Sequence, residues 1–468
     1  MKKVLISLFL GFVFLTCFSQ VPSELIKSYD ASLKALSSSS QLDDKLWQGF
    51  RIREYPIIIY ETKGRNALAL NFNPPPSNFT KIENTLISYG KILGSEPLYQ
   101  GVRPYENRLA SFIDSKELNS FPSAKIVESA FKVFEAYRGF NDKGVFNKGV
   151  YPDLNVENNV YSRCENECLI KAVSSEVGEI KPLLSAFLSF REKRQLLLPK
   201  EISEVENSRE LIDGLASFAG YFSLNDEEKK SYLSETISRL QRYNRGGEKA
   251  EERFRDTGFA IIYLLYRMKF DFRGALEKSS RDSILPVLKF YTEGVSKETS
   301  SFINIDAIRS EETAKVKEIE EQRNNLLSSI QNADGVVIVV KIDEIVEKTK
   351  TKFNWSNRYE PDGIIYLTPS KMIFTKYFKL SGTPFFNFAS SRPIVVELKN
   401  SVTVGFKKDE IPFITLDGKG IELAKDSPPV TGKVEAKGAH WEMTIEKATL
   451  IWDYTKRTLT VEPIYQVN

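Results

Sequence analysis

The hydrophobic pattern changes period at Asp334-Gly335, and that change constrains the chain more than any other feature. Between about residues 123 and 291, apolar residues recur at three and four positions. Ile126, Val127, Ala130, Phe131 and Phe134 set the pattern, which returns through 183–198, 211–222 and 254–268. Such spacing gives each helix one apolar stripe and predicts a packed helical layer. Beyond Gly335 the apolar runs become short: 336–340, 363–367, 371–374, 393–398, 401–406, 413–416, 441–445 and 458–462. Turn pairs such as Asp362-Gly363 and Asp417-Gly418 divide them. Many short strands at this spacing predict an all-β, sandwich-like domain. The expected fold class is α+β, a mainly α-helical domain followed by an all-β one.

At 468 residues the chain exceeds what one core usually serves, so two domains are expected. Residues 23–47 have helical spacing, 55–61 read as a buried strand, and 67–72 as its partner, ended by Pro74-Pro75-Pro76. Residues 139–159 carry turn chemistry and read as a loop. Residues 297–333 are a charged helical connector with apolar positions at Val316, Ile319, Leu326 and Ile330. So few turns suit a linker helix with one packed face better than a coiled coil. The expected boundaries are 1–20 for a leader, 21–296 for the α-rich domain, 297–333 for the connector and 334–468 for the β domain.

The leader reading rests on Lys2 and Lys3, an apolar core from Val4 to Leu15 and a small-x-small site at Cys17-Phe18-Ser19. That core is too short to span a bilayer permanently. An exported chain, periplasmic or at the cell surface, is expected. Lipidation at Cys17 is the rival to ordinary cleavage, although Phe14-Leu15-Thr16 fits a lipobox poorly. Membrane attachment is expected only through Cys17.

Charge and histidine content exclude several chemistries. With 65 Lys+Arg against 62 Asp+Glu, the net charge of +3 argues against a nucleic-acid partner. The single histidine, His440, rules out an HExxH zinc site, which needs two. Nothing near His440 supplies a nucleophile, so it reads as a partly exposed residue beside packed Trp441. Ser129-Ala-Phe-Lys132 matches the S-x-x-K pattern of some serine nucleophiles, but so does Ser88-Tyr-Gly-Lys91. Asp153, Asn155 and Glu157 lack the glycine and spacing of a calcium loop. Cys164 and Cys168 are one helical turn apart and read as either a reduced, packed pair or a local disulfide.

Several blocks, in order, resemble a family of exported bacterial proteins with a gluzincin-type zinc peptidase domain. They are Leu46-Trp-Gln-Gly-Phe50 with Arg53 and Pro56-Ile-Ile-Ile-Tyr60, then Asn73-Pro-Pro-Pro-Ser-Asn-Phe79, then Glu128-Ser-Ala-Phe-Lys-Val-Phe-Glu135. Cys164-Glu-Asn-Glu-Cys-Leu169 with Ala172, Asp213-Gly-Leu-Ala216 and Arg255-Asp-Thr-Gly-Phe-Ala260 with Leu264-Leu265 complete the series. The resemblance covers roughly residues 45–290 and implies a gluzincin-like helical domain. It also locates the departures. Glu128 stands where the first ligand histidine would be, Ser129 at the catalytic glutamate and Lys132 at the second histidine. Asp213 falls at the third ligand, with Glu165 as the alternative. A metal site that activates water needs neutral or anionic ligands and a base. A lysine cation and a lost base remove that chemistry.

Glu128 and Lys132 are four apart, a favourable order for a helical ion pair. The resemblance thus implies that an internal ion pair among Glu128, Lys132 and Asp213 replaces the metal. The expected function is that of an exported, non-catalytic, pseudopeptidase-like protein with a binding or structural role in the cell envelope. No cofactor is expected, and the partner is a peptide or envelope component. The alternatives are a hydrolase using Ser129 and Lys132 or a carboxylate-bound metal, and a surface adhesin acting through the β domain.

Overall fold

A computed structural model describes residues 25–464, except 83, 95–97, 141, 243–249, 280, 296–301, 343–353 and 424–426. The expected leader at 1–20 and the lipidation candidate Cys17 lie outside the described residues. The chain divides into two compact units. The first comprises residues up to Phe146 and Asn155–Glu312, the second Asn147–Leu154 and Thr313 onward. The α+β class is observed, with a β-rich C-terminal region.

The first unit opens with helix α1 (Ile26–Ser37) and a six-stranded sheet in the order β3-β4-β2-β1-β6-β5. Strand β1 (Ile57–Tyr60) is buried throughout. Ile57 and Ile59 enter the main helical core, whereas Ile58 and Tyr60 enter a smaller one on the other face. Burial on both faces explains why this strand is an uninterrupted apolar run rather than an alternating one. It pairs antiparallel with the expected partner β2 (Asn66–Leu70) and parallel with β6 (Arg108–Asp114). Strands β3 (Phe79–Lys81), β4 (Ile87–Lys91) and β5 (Gly101–Tyr105), like β6, went unread in the sequence.

Helix α2 (Pro122–Tyr137) follows, with proline in its first turn, where a missing N–H costs nothing. Then come α3 (Val156–Ser174), α4 (Val177–Gln195), α5 (Lys200–Phe222), α6 (Asp226–Arg242) and α7 (Ala250–Arg267). Asn155 caps α3 by accepting from the Asn158 N–H at 3.0 Å, so a helix begins inside the expected 139–159 loop. Helix α5 is the hub. At Gly214 its backbone meets that of α7 at Gly258, where an added Cβ would lie 2.5 Å from the Gly258 carbonyl carbon. At Gly220 it meets α2, where a Cβ would lie 2.7 Å from Glu128 Cγ. Helices α8 (Phe272–Lys278) and α9 (Leu285–Thr292) complete the unit.

The connector is one helix, α10 (Ile305–Gln331), and the division into units falls within it. This differs from the expected boundaries. From Thr313 onward the helix belongs to the β-rich unit because Leu326, Leu327 and Ile330 pack with Ile373, Val395, Ile365 and Leu367. Residues 147–154, expected in the α-rich domain, belong there too. Asp153 pairs with Arg323 at 2.5 Å, and Gly149 lies against Pro369.

The β-rich unit runs from β7 (Val336–Lys341) to β19 (Thr458–Pro463) in one connected sheet. Its 13-residue strand β18 (Trp441–Asp453) pairs with β12 (Phe386–Ser390) through Trp441–Ile445 and with β19 through Ala448–Asp453. The two walls are therefore joined through one long bent strand, giving a half-barrel rather than two separate sheets. Its core is formed by alternating residues such as Val336, Ile338 and Val340 with Trp441, Met443 and Ile445. Among the described residues no helix is long and apolar enough to cross a membrane.

Candidate functional site

Helix α2 places Glu128, Lys132 and Glu135 on one side through spacings of four and three. Facing them, α5 presents Asp213 and Ser217, while α7 supplies Arg255 and α6 supplies Tyr232. Lys132 Nζ donates to Asp213 Oδ1 at 2.5 Å. One turn away, Glu128 Oε1 accepts from Arg255 Nη2 at 2.6 Å and from the Tyr232 hydroxyl at 3.1 Å. Lys125 Nζ stands 3.4 Å from the other carboxylate oxygen, Oε2. Arg255 Nε also donates to Ser217 Oγ at 2.8 Å, tying α5 to α7.

The electrostatics follow from these contacts. Burial works to raise the Glu128 pKa, but the Arg255 and Lys125 charges outweigh it and bring it to about 2. Glu128 is thus an anion at any physiological pH. Burial works to lower the Lys132 pKa, yet Asp213 raises it through charge and hydrogen bond, so Lys132 keeps its proton. Glu135 is the opposite case. It is 1% exposed, and neither carboxyl oxygen has a hydrogen-bond partner among the described residues. Burial drives its pKa well above the usual range, against a smaller opposing effect from Lys132. Burial thus favours the protonated form of the Glu135 carboxyl.

Two alternative chemistries are not assembled among the described residues. A serine–lysine pair requires an unprotonated amine beside the hydroxyl. Lys132 Nζ instead donates to Asp213, and among the described residues no hydrogen bond joins it to Ser129. A zinc site at the positions that the resemblance marks does not fit these residues. An ammonium lies where an imidazole would coordinate, and the Glu128 carboxylate is committed to three donors. Among the described residues, no three His, Cys, Asp or Glu side chains group to hold a metal ion. A cavity of about 610 Å³ near the start of α2 is lined by Ser123, Phe222, Lys229 and Tyr266, not by Lys132 or Asp213.

Glu165, the alternative third position, does not join this layer. It lies in a fully buried cluster with Arg191 at 2.9 Å, Arg194 at 2.6 Å and Arg253 at 3.4 Å. Arg194 and Arg253 also hold Glu206, and Arg191 Nη1 donates to Glu210 Oε2 at 2.6 Å. Thr257 Oγ1 adds a bond to Glu210 Oε1 at 2.6 Å. Three cations thus face three carboxylates, and the arginines bring Glu206 to about 2 although burial opposes them. Sequence reasoning missed these arginines. The available signal was like-signed pairs, Arg191 with Arg194 and Glu206 with Glu210, set among apolar positions of consecutive helices.

The remaining candidates are scattered. Cys164 and Cys168 are buried free thiols rather than a disulfide, and burial pushes Cys164 up to about 12. Asp153 is taken by Arg323, Asn155 caps α3, and Glu157 accepts from Arg309 at 2.8 Å, so the three form no calcium loop. His440 occupies a turn with φ of 62° before buried Trp441. No protein-family model, no curated protein and no solved structure matches the chain.

Proposed function

We propose that the chain is an exported, non-catalytic protein on a gluzincin-like scaffold, holding a peptide or envelope partner rather than cleaving one. The observation that carries this reading is the 2.5 Å contact between Lys132 and Asp213, from facing helices at the two marked positions. The ammonium supplies the positive charge that a metal would have supplied there. It joins α2 to α5 without offering a Lewis acid or a base. Glu128, one turn along, is neutralised in the same way by Arg255 and Lys125. Export is supported by the residue pattern of the first 20 positions.

The test is to rebuild the metal site. Glu128→His, Lys132→His and Asp213→Glu are combined, and zinc is measured by mass spectrometry on protein whose circular dichroism matches wild type. The combined variant is expected to take up one zinc, and the wild type none. Stoichiometric zinc in the wild type, lost on Asp213→Ala, would overturn the non-catalytic reading. A folded combined variant that ignores zinc would overturn the scaffold reading.

A further inference from the structure

The β-rich unit carries a groove of a different character. A cavity of about 380 Å³ is lined by Phe413, Ile421, Leu423, Trp452 and Tyr454, with Lys408 and Arg457. A second, of about 210 Å³, shares the Ile421, Leu423 and Trp452 walls and is lined by Glu422, Leu450 and Leu459 as well. Its rim wastes apolar surface on water: Phe413 is 70% exposed, Tyr454 52% and Ile411 48%. Clustered exposure of this kind marks a binding surface rather than scattered surface residues. The charge at the larger cavity has one sign. Lys408 and Arg457 line it, no described Asp or Glu does, and neither cation forms an ion pair among the described residues. Arg457 Nη1 donates to the Asp334 carbonyl, and its guanidinium makes no other hydrogen bond among the described residues.

We propose that this groove binds a single-chain fatty carboxylate. The chain lies along Phe413, Ile421, Leu423 and Trp452, and the carboxylate meets Lys408 and Arg457. A space of this size suits one small ligand rather than a protein face, since ligand pockets run about 300–1,000 Å³. The one-signed cationic end selects an anion, and arginine suits a planar carboxylate. A chain buried between apolar walls gains roughly fourfold in affinity per methylene. The site is independent of the Lys132–Asp213 layer and stands whether or not the peptidase-like reading does.

The full-length protein is titrated with octanoate, decanoate and dodecanoate below their micelle concentrations. Tryptophan emission and calorimetry serve as readouts, with Trp452 as the reporting wall. Dodecanoate is expected to bind once per chain, with each shorter acid weaker by about tenfold or more. Dodecyltrimethylammonium, with the same chain and opposite charge, is expected at least about tenfold weaker, and Lys408→Glu is expected to narrow that gap. Phe413→Asp, at a position 70% exposed, is expected to weaken dodecanoate about tenfold in protein whose circular dichroism matches wild type. Absence of binding at about 1 mM dodecanoate overturns the proposal, as does saturation at several molecules per chain. So does equal affinity for the cation, or a Phe413→Asp protein that binds as wild type does.

Discussion

Replacing Gly258 by alanine tests how closely the helical core is built. On helix propensity alone, alanine should gain about 1 kcal/mol over glycine in the middle of α7. The structure predicts the reverse. A Cβ at Gly258 would lie 1.8 Å from the Glu210 carbonyl oxygen and 2.7 Å from its carbonyl carbon. Both are backbone atoms of α5, so no side chain can swing aside. Helices α5 and α7 must part locally by roughly 1 Å, and overpacking of this kind costs about 1–3 kcal/mol. The same shift moves the Glu210 carboxylate away from Arg191 and Thr257, both 2.6 Å away. Weakening a buried bond to a charged group adds about 1.5–3 kcal/mol. After the propensity gain, the net loss is about 1.5–5 kcal/mol, or a fall in Tm of about 3–15 °C. Gly178→Ala is the control, because that helical glycine has nothing within 4 Å of the new Cβ. It is expected to be neutral or stabilising by up to about 1 kcal/mol. Thermal melts by circular dichroism read both variants. A Gly258→Ala protein as stable as wild type would refute the close-contact reasoning.

Two further predictions concern buried charge. Glu165→Gln removes the carboxylate shared by Arg191, Arg194 and Arg253, leaving uncompensated cations in the core. A loss of about 3–5 kcal/mol is expected in denaturant titration, and a change under 1 kcal/mol, to use that as a rough threshold, would contradict it. Glu135 has a folded-state pKa above its unfolded value. Its burial therefore costs nothing below the unfolded value and increasingly destabilises as pH rises from there through the folded one. Glu135→Gln should raise Tm at pH near neutrality and leave it unchanged in acid, with a uniform shift at all pH values counting against the assignment.

What the sequence revealed depended on how locally each feature is encoded. Strand β1 was legible because Ile57-Ile58-Ile59-Tyr60 is apolar on both faces. Strand β5, with Gly101, Arg103 and Pro104 at the sheet edge, has no such run and leaves its neighbour β6 to be found only by pairing. The half-barrel was legible as strands, but not as one connected sheet, since the closure depends on β18 serving two walls. Of the site, the Lys132–Asp213 contact spans 81 positions, and only the ordered blocks of the resemblance brought those residues together on paper. The arginine cluster was invisible for a different reason. A charged residue in a helix is solvated by default, and only three-dimensional assembly removes the water.

That cluster also governs the order in which the helical core can be completed. Helix α4 brings two positive charges, Arg191 and Arg194, and α5 brings two negative ones, Glu206 and Glu210. Helix α3 adds one negative charge with Glu165, and α7 adds one positive charge with Arg253. The sum is zero for all four helices and for no three of them. Any three-helix assembly strands at least one charge in a place built to be dry, and so stays open to water. The cluster acts as a completeness check on folding. A chain truncated before Ala250 keeps the α4–α5 pairs but leaves one carboxylate charge in the core without its Arg253 partner.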